Sequence, residues 1–327
     1  MPLTLSETLD NLYTTTWQQM KDTVRDQIYD ATPFWFWMKE KGKLKSTSGG
    51  RFLTEPLQFA KTDSVQWITK GGTVPLNDFE FLTIAQYDWK YLVGSIVRFG
   101  VDDQQNRGKW QIINLMNAKF DNVQNGLIDE LETRLFGASG SADDAIDGLQ
   151  LLVADDPTAA GSPGKIDQAA AANSWWRNQT TDLTGMSFAT NGVNAMRTML
   201  NKIMNNLRMD APDIIVSGQL PYEFYEENLV DSYYRITQNK LGDAGFITQV
   251  YKGIPMVWSP ACSDQRMYFL NTNFISFQFD PMLNFDMTEW KAIPDQVNDR
   301  TAQIVLAGAM TVSRRRAQGV IHTIDLA

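Results

Sequence analysis

The sequence predicts an α+β fold, on three observations: one unusually long amphipathic helix, strand-like runs on either side of it, and an extended two-armed excursion, Lys61 to Gly94. The excursion lies among runs of strand character, Arg51–Phe59 and Gln86–Val93, and holds Gly71-Gly72 and an alternation of Val65, Trp67 and Ile68 with polar residues. Two extended arms of about 14 residues each, at about 3.3 Å per residue, reach about 45 Å from their base. An isolated two-stranded hairpin is marginal in water, so an arm of that length needs another surface to lie on. Lattice-forming subunits are built this way.

The first 48 residues form an arm in which Leu5, Leu9, Leu12 and then Met20, Val24, Ile28 recur at helical spacing. Pro33 is expected to end the second of these stretches. The aromatic patch Phe34–Met38 then docks on another element, and Lys39, Lys41, Lys43 and Lys45 form either a solvated connector or a contact with acidic neighbours or nucleic acid. From Gly108 to Phe136, Ile113, Met116, Phe120, Val123, Leu127, Leu131 and Leu135 keep a three-or-four spacing, interrupted only by Gly126. At 1.5 Å per residue that helix is about 43 Å long, and Gly137 with Ser139-Gly140-Ser141 supplies its stop. No coiled-coil repeat follows, so it reads as a spine against which one sheet packs.

Asp147-Gly148-Leu149 and an Ala/Gly/Pro-rich stretch, Asp155 to Asn173, lead into a second domain. A helix is expected at Asn191–Leu207, a buried strand at Asp213–Ser217 and a helix at Pro221–Leu229. Strands are expected at Ile254–Trp258, at Met267–Phe279, and as a pair within Thr301–Leu326 around Arg314-Arg315-Arg316.

Composition excludes more than it assigns. The chain has 327 residues and a formal net charge of -9, which argues against a protein that coats nucleic acid with a basic surface. Its single cysteine, Cys262, excludes an intrachain disulfide. No signal peptide is expected, since the N-terminus lacks a basic region followed by an apolar core, and no apolar run approaches a membrane span. Phosphate-cradling glycine motifs are absent. With one histidine, His322, paired-histidine zinc sites are impossible, and that residue reads as a core or interface histidine. Cys262 has no basic neighbour in sequence to activate it. Asp143, Asp144 and Asp147 lack the ligand spacing and closing glutamate of a calcium loop, and Asp102-Asp103 fits a helix start. The expectation is a protein that is not an enzyme and carries no cofactor and no metal.

The order of these parts resembles the major capsid proteins of tailed bacteriophages, with the Hong Kong 97-type coat fold. The residues that carry the resemblance are Gly50–Leu57 leading into the extended loop, the spine ending in Leu135-Phe136-Gly137, Asp147-Gly148-Leu149, and Pro212–Val216. Tyr251–Val257, Met267–Thr272 and the closing Ser313–Ala317 complete it. The resemblance implies an N-terminal arm (1–48), an E-loop (61–94), a P-domain (49–60, 95–141 and 294–327) and an A-domain (142–293). It implies self-assembly into hexamers and pentamers of an icosahedral shell around double-stranded DNA, held without sequence preference. The location it implies is the virion capsid, assembled in the host bacterial cytoplasm. Implied partners are other copies of the chain, a scaffolding protein, a portal and a decoration protein, with no membrane. The implied interface holds Trp67, Ile68, Lys70, Gly71 and Gly72 on the loop and Arg314, Arg315 and Arg316 on the turn. Lys70 lies near the loop tip, but no partner asparagine or supporting carboxylate identifies a cross-link. An encapsulin-like shell enclosing protein cargo is an alternative within the same fold, and an enzyme with a lid at Asp155–Asn173 is another from a different class.

Overall fold

The computed structural model describes residues 14–15, 26–61, 65–73, 80–100, 109–137, 144–204, 211–227, 248–294, 296 and 299–325. The arm positions Leu5, Leu9, Leu12, Met20 and Val24 lie outside the described residues. So do Asp102-Asp103, Ser139–Ser141, Asp143, Leu207, the stretch 228–247 and the side chains of Ile113 and Met116.

Three sheets and a long helix organise the chain. The spine, α2 (Lys109–Phe136), is 28 residues long. Its apolar stripe is inside: Phe120, Leu127, Leu131 and Leu135 are all buried. It lies on a five-stranded sheet in which β1 (Leu44–Ser46), β10 (Ile275–Met287), β12 (Arg300–Val312) and β11 (Lys291–Ala292) follow in order, with β4 (Lys90–Arg98) also paired to β12. Gly94 lets β4 approach the helix closely, since a Cβ there would stand 2.7 Å from Val123 Cγ1.

The second sheet has six strands in the order β5 (Gln179–Asp182), β13 (Gly319–His322), β9 (Met267–Leu270), β6 (Ile214–Ser217), β8 (Ile254–Trp258), β7 (Gln249–Tyr251). Because strand side chains alternate between faces, Ile215, Met256, Met267, Phe269 and Ile321 face one way. There they meet Met196, Met199, Leu200 and Ile203 of the helix Phe188–Met204, and Tyr222 and Tyr225 of the helix Gln219–Glu227. On the other face Ile214, Val216, Val257, Tyr268, Leu270 and Val320 join the core that contains the spine. The third sheet is the pair β2 (Leu53–Gln58) and β3 (Leu82–Tyr87).

Three expectations change. Pro33 does not only end a helix; it opens α1 (Pro33–Glu40) at the first turn, where its missing N–H is tolerated. The aromatic patch is therefore helical, with Phe34, Trp35, Trp37 and Met38 buried and Trp35 edge-on to Phe277 at 5.1 Å. The return limb is two strands and not one: β3 pairs with β2, while residues 90–94 belong to β4 and pair with Gly308–Ile304 of β12. Sheet membership also crosses the expected boundary near residue 293. β10 pairs with β12 in the sheet under the spine, and β13 returns to pair with β5 and β9 in the other.

Candidate assembly interface

The hairpin is anchored at its base and bare at its tip. At the base, Leu53, Leu57, Ala85 and Tyr87 are buried on the inner face. The Tyr87 hydroxyl donates to the Val312 carbonyl at 2.9 Å and accepts from the Val312 N–H at 3.2 Å, locking the ribbon to β12. Glu55 accepts from Gln278 Nε2 and from Thr311 Oγ1, and Lys165 pairs with Asp88 at 2.7 Å. On the outer face Leu82 and Ile84 stand exposed.

Among the described residues nothing comparable holds the tip. Trp67 is 105% exposed and Val65 83%, with Ile68 at 44%, so three apolar side chains project into water. The Gly72 N–H closes a turn on the Thr69 carbonyl at 2.9 Å. Gly71 sits at φ +90, a conformation that side-chain-bearing residues rarely adopt, and a Cβ on Gly72 would meet Ile68 Cγ2 at 2.5 Å. The glycine pair therefore shapes the tip, and Lys70 between Thr69 and Gly71 is fully in solvent.

The arginine turn divides. Arg315 is corrected from the expected interface: it is 0% exposed. Its guanidinium donates to the carbonyls of Leu152 (2.7 Å) and Trp176 (3.2 Å) and to Asn178 Oδ1 (3.1 Å). It clamps the loop 149–178 to the chain end, and burial lowers its pKa to about 10. The triplet is not a uniform solvated turn, because alternate side chains leave it in different directions. Arg314 and Arg316 are half-buried, and Arg314 lies 5.6 Å from the centre of the Phe274 ring. Both line a groove of about 480 Å³ together with the end of β2 and the residues after it (Pro56 to Lys61), Trp175, Trp176 and Phe274.

The other singled-out residues carry no assembled chemistry. Lys39 pairs with Asp30 at 3.0 Å and Asp26 at 3.3 Å, and Lys41 lies 4.6 Å from the Trp37 ring. Lys45 is exposed and Lys43 half-buried. Cys262 is buried, which pushes its thiol pKa up and away from reactivity. His322 Nδ1 is 2.8 Å from Thr323 Oγ1 and 3.8 Å from Asp182. Among the described residues no cluster of His, Cys, Asp or Glu could hold a metal ion, and no helix is long and apolar enough to cross a membrane.

The burial of two carboxyls was not anticipated from the sequence. Glu132, on the spine, is 6% exposed and accepts from Ser259 Oγ, and burial raises its pKa. Asp147 is 9% exposed with its Oδ1 lacking a hydrogen bond among the described residues, and burial pushes its pKa up to about 6, opposed by Lys90 and aided by Asp88. A run of alternating polar and apolar letters gave no sign that either acid faces inward.

No family model matches the chain, and no curated protein matches it. Solved structures do. The chain is similar to the capsid subunit of cyanophage A-1(L), at TM-score 0.60 and 16% identity over 86% of this chain and 90% of that one. It is similar to that of the mature capsid of bacteriophage PhiM1, at TM-score 0.52 and 13% identity over 86% of each chain. A third match is the capsid of the myovirus XM1, at TM-score 0.51 and 10% identity over 88% of this chain and 92% of that one. The chain has the tailed-phage coat fold. At these identities the likeness concerns backbone architecture, and it spans nearly the full length of each coat subunit.

Proposed function

We propose that the chain is the shell-forming subunit of an icosahedral capsid, assembling into hexamers and pentamers around double-stranded DNA. The observation that carries this reading is the hairpin tip: Val65, Trp67 and Ile68 project from a subunit of coat fold with no surface of their own to cover them. Burying each such side chain against a neighbour contributes roughly 1.5–3 kcal/mol, repeated at every copy. In this reading the spine and its five-stranded sheet form the P-domain, the six-stranded sheet with its two helices forms the A-domain, and residues 61–80 form the working part of the E-loop. The chain acts by assembly and not by turnover, within the virion capsid built in the bacterial host. Scaffolding, portal and decoration proteins are its expected partners. DNA is confined and bound weakly, because the net charge is -9 and free cations such as Lys45 are scattered.

The test removes residues 62–80, which leaves β2 and β3 paired. Size-exclusion chromatography and negative-stain microscopy are expected to show closed, nuclease-protected shells from the full chain. The deletion should give folded subunits that do not close. Normal shells from the deletion sink the role given to the loop.

A further inference from the structure

The groove beside the arginine turn has a chemistry of its own. Phe59 and Trp175 stand 5.7 Å apart in its wall, Phe274 also lines it, and none of the described lining residues is acidic. Lys61 and Arg316 form no hydrogen bond or ion pair among the described residues. On a chain of net charge -9, an aromatic groove whose charged lining residues, among those described, are all cations calls for an anionic occupant with an apolar tip.

The chain carries one such feature well away from the groove. In β10 the register runs from Phe279↔Gly308 to Asn284↔Leu306, so residues 280–283 stand opposite Ala307 alone and bulge out of the ladder. Asp280 Oδ1 accepts the Met282 N–H at 2.8 Å, which holds the bulge as a turn. Met282 is 80% exposed at its apex, and Asp280 makes no ion pair among the described residues. Resting on the shell reading above, we propose that this Asp280–Met282 turn seats in the groove of a second copy. Met282 would lie among Phe59, Trp175 and Phe274, where a thioether packs well on rings, and Asp280 would face Arg316 and Lys61.

In the lone subunit Met282 stands in solvent and does not line this groove. Phe274, which lines the groove, immediately precedes β10, and residues 275–279 are paired in register with 312–308. The turn therefore lies at least roughly 16 Å along an extended ladder at about 3.3 Å per residue. Knob and groove on different parts of one subunit make a head-to-tail contact, which closes into a ring when the rotation between copies allows.

A charge swap on the full chain tests this. Asp280→Arg and Arg316→Glu should each raise the concentration needed for assembly by about tenfold or more, and the double variant should return to within about threefold of wild type. Both positions are half-buried and outside the core, so circular dichroism of dissociated subunits should be unchanged; the urea midpoint should hold for Arg316→Glu and fall only slightly for Asp280→Arg, which also loses the hydrogen bond from the Met282 N–H. Single variants that assemble like wild type overturn the proposal, as does a double variant that fails to recover. Arg316→Glu particles that form normally but lose encapsidated nucleic acid would assign the groove to nucleic acid instead. These outcomes leave the shell reading standing; a wild-type chain that stays monomeric at every concentration overturns both.

Discussion

Gly148→Ala should damage this subunit while Gly126→Ala strengthens it, and the difference comes entirely from what surrounds the two positions. Gly148 lies where the chain folds back over the last turn of the spine. A Cβ there would stand 2.3 Å from the carbonyl oxygen of Gly137, 2.7 Å from that of Arg134 and 3.1 Å from that of Leu135. Carbon and oxygen normally approach no closer than about 3.3 Å, so something must move by about 1 Å, and every obstacle is main chain. Either the last turn of the spine frays, exposing the buried Leu135 and Phe136, or the loop lifts and withdraws Leu149 and Leu152, both 0% exposed. Overpacking of a well-packed site costs about 1–3 kcal/mol, and with no flexible side chain to yield, the upper end, about 3 kcal/mol, is expected. Around Gly126 nothing lies within 4 Å of an added Cβ. Alanine in a helix interior is favoured over glycine by roughly 0.5–1 kcal/mol, so that variant gains stability. Urea unfolding of dissociated subunits, read as shifts in midpoint at unchanged slope, measures both. A Gly148→Ala midpoint matching wild type, or a Gly126→Ala midpoint below it, would refute the packing described for the spine.

Leu131→Asp places an unpaired charge beneath the spine and should yield insoluble protein; soluble, assembling protein would mean that the wrong helix face has been assigned to the core. Glu132→Ala should cost about 1–3 kcal/mol, because it strips a buried carboxyl from Ser259, whereas exposed Asp121→Ala should stay within about 0.5 kcal/mol. Equal midpoints for the two variants would contradict the buried role of Glu132. For Asp147, the folded pKa of about 6 exceeds the ordinary 3.8, so the folded state holds the proton more tightly and stability falls as pH rises through that window. Asp147→Asn should therefore gain roughly 3 kcal/mol over wild type at pH 7 and little at pH 4. A gain that is independent of pH would exclude titration as its cause.

Much of the architecture was legible because it follows from periodicity. The spine's stripe at Phe120, Leu127, Leu131 and Leu135, the all-apolar Ile214–Val216 run and the glycine pair at the hairpin tip each have a local physical cause visible in the letters. What could not be read depends on partners distant in the chain. Glu132 looks like a surface residue beside Leu131 until Ser259, 127 positions later, packs on the same side of the helix. Arg315 looks like its two neighbours until the carbonyls of Leu152 and Trp176 converge on it. The exchange of β10 and β13 between sheets is likewise set by pairing and not by composition. The tip was flagged by its lack of intrachain support; Val65, Trp67 and Ile68 are exposed there, and so are Leu82 and Ile84 on the outer face of the base.

The most direct measurement is a cryo-electron microscopy reconstruction of particles formed by the full chain. The account expects closed icosahedral shells in which Trp67, fully exposed in the lone subunit, is buried against a neighbouring copy. Particles that never close, or closed shells in which Trp67 still faces solvent, would contradict it.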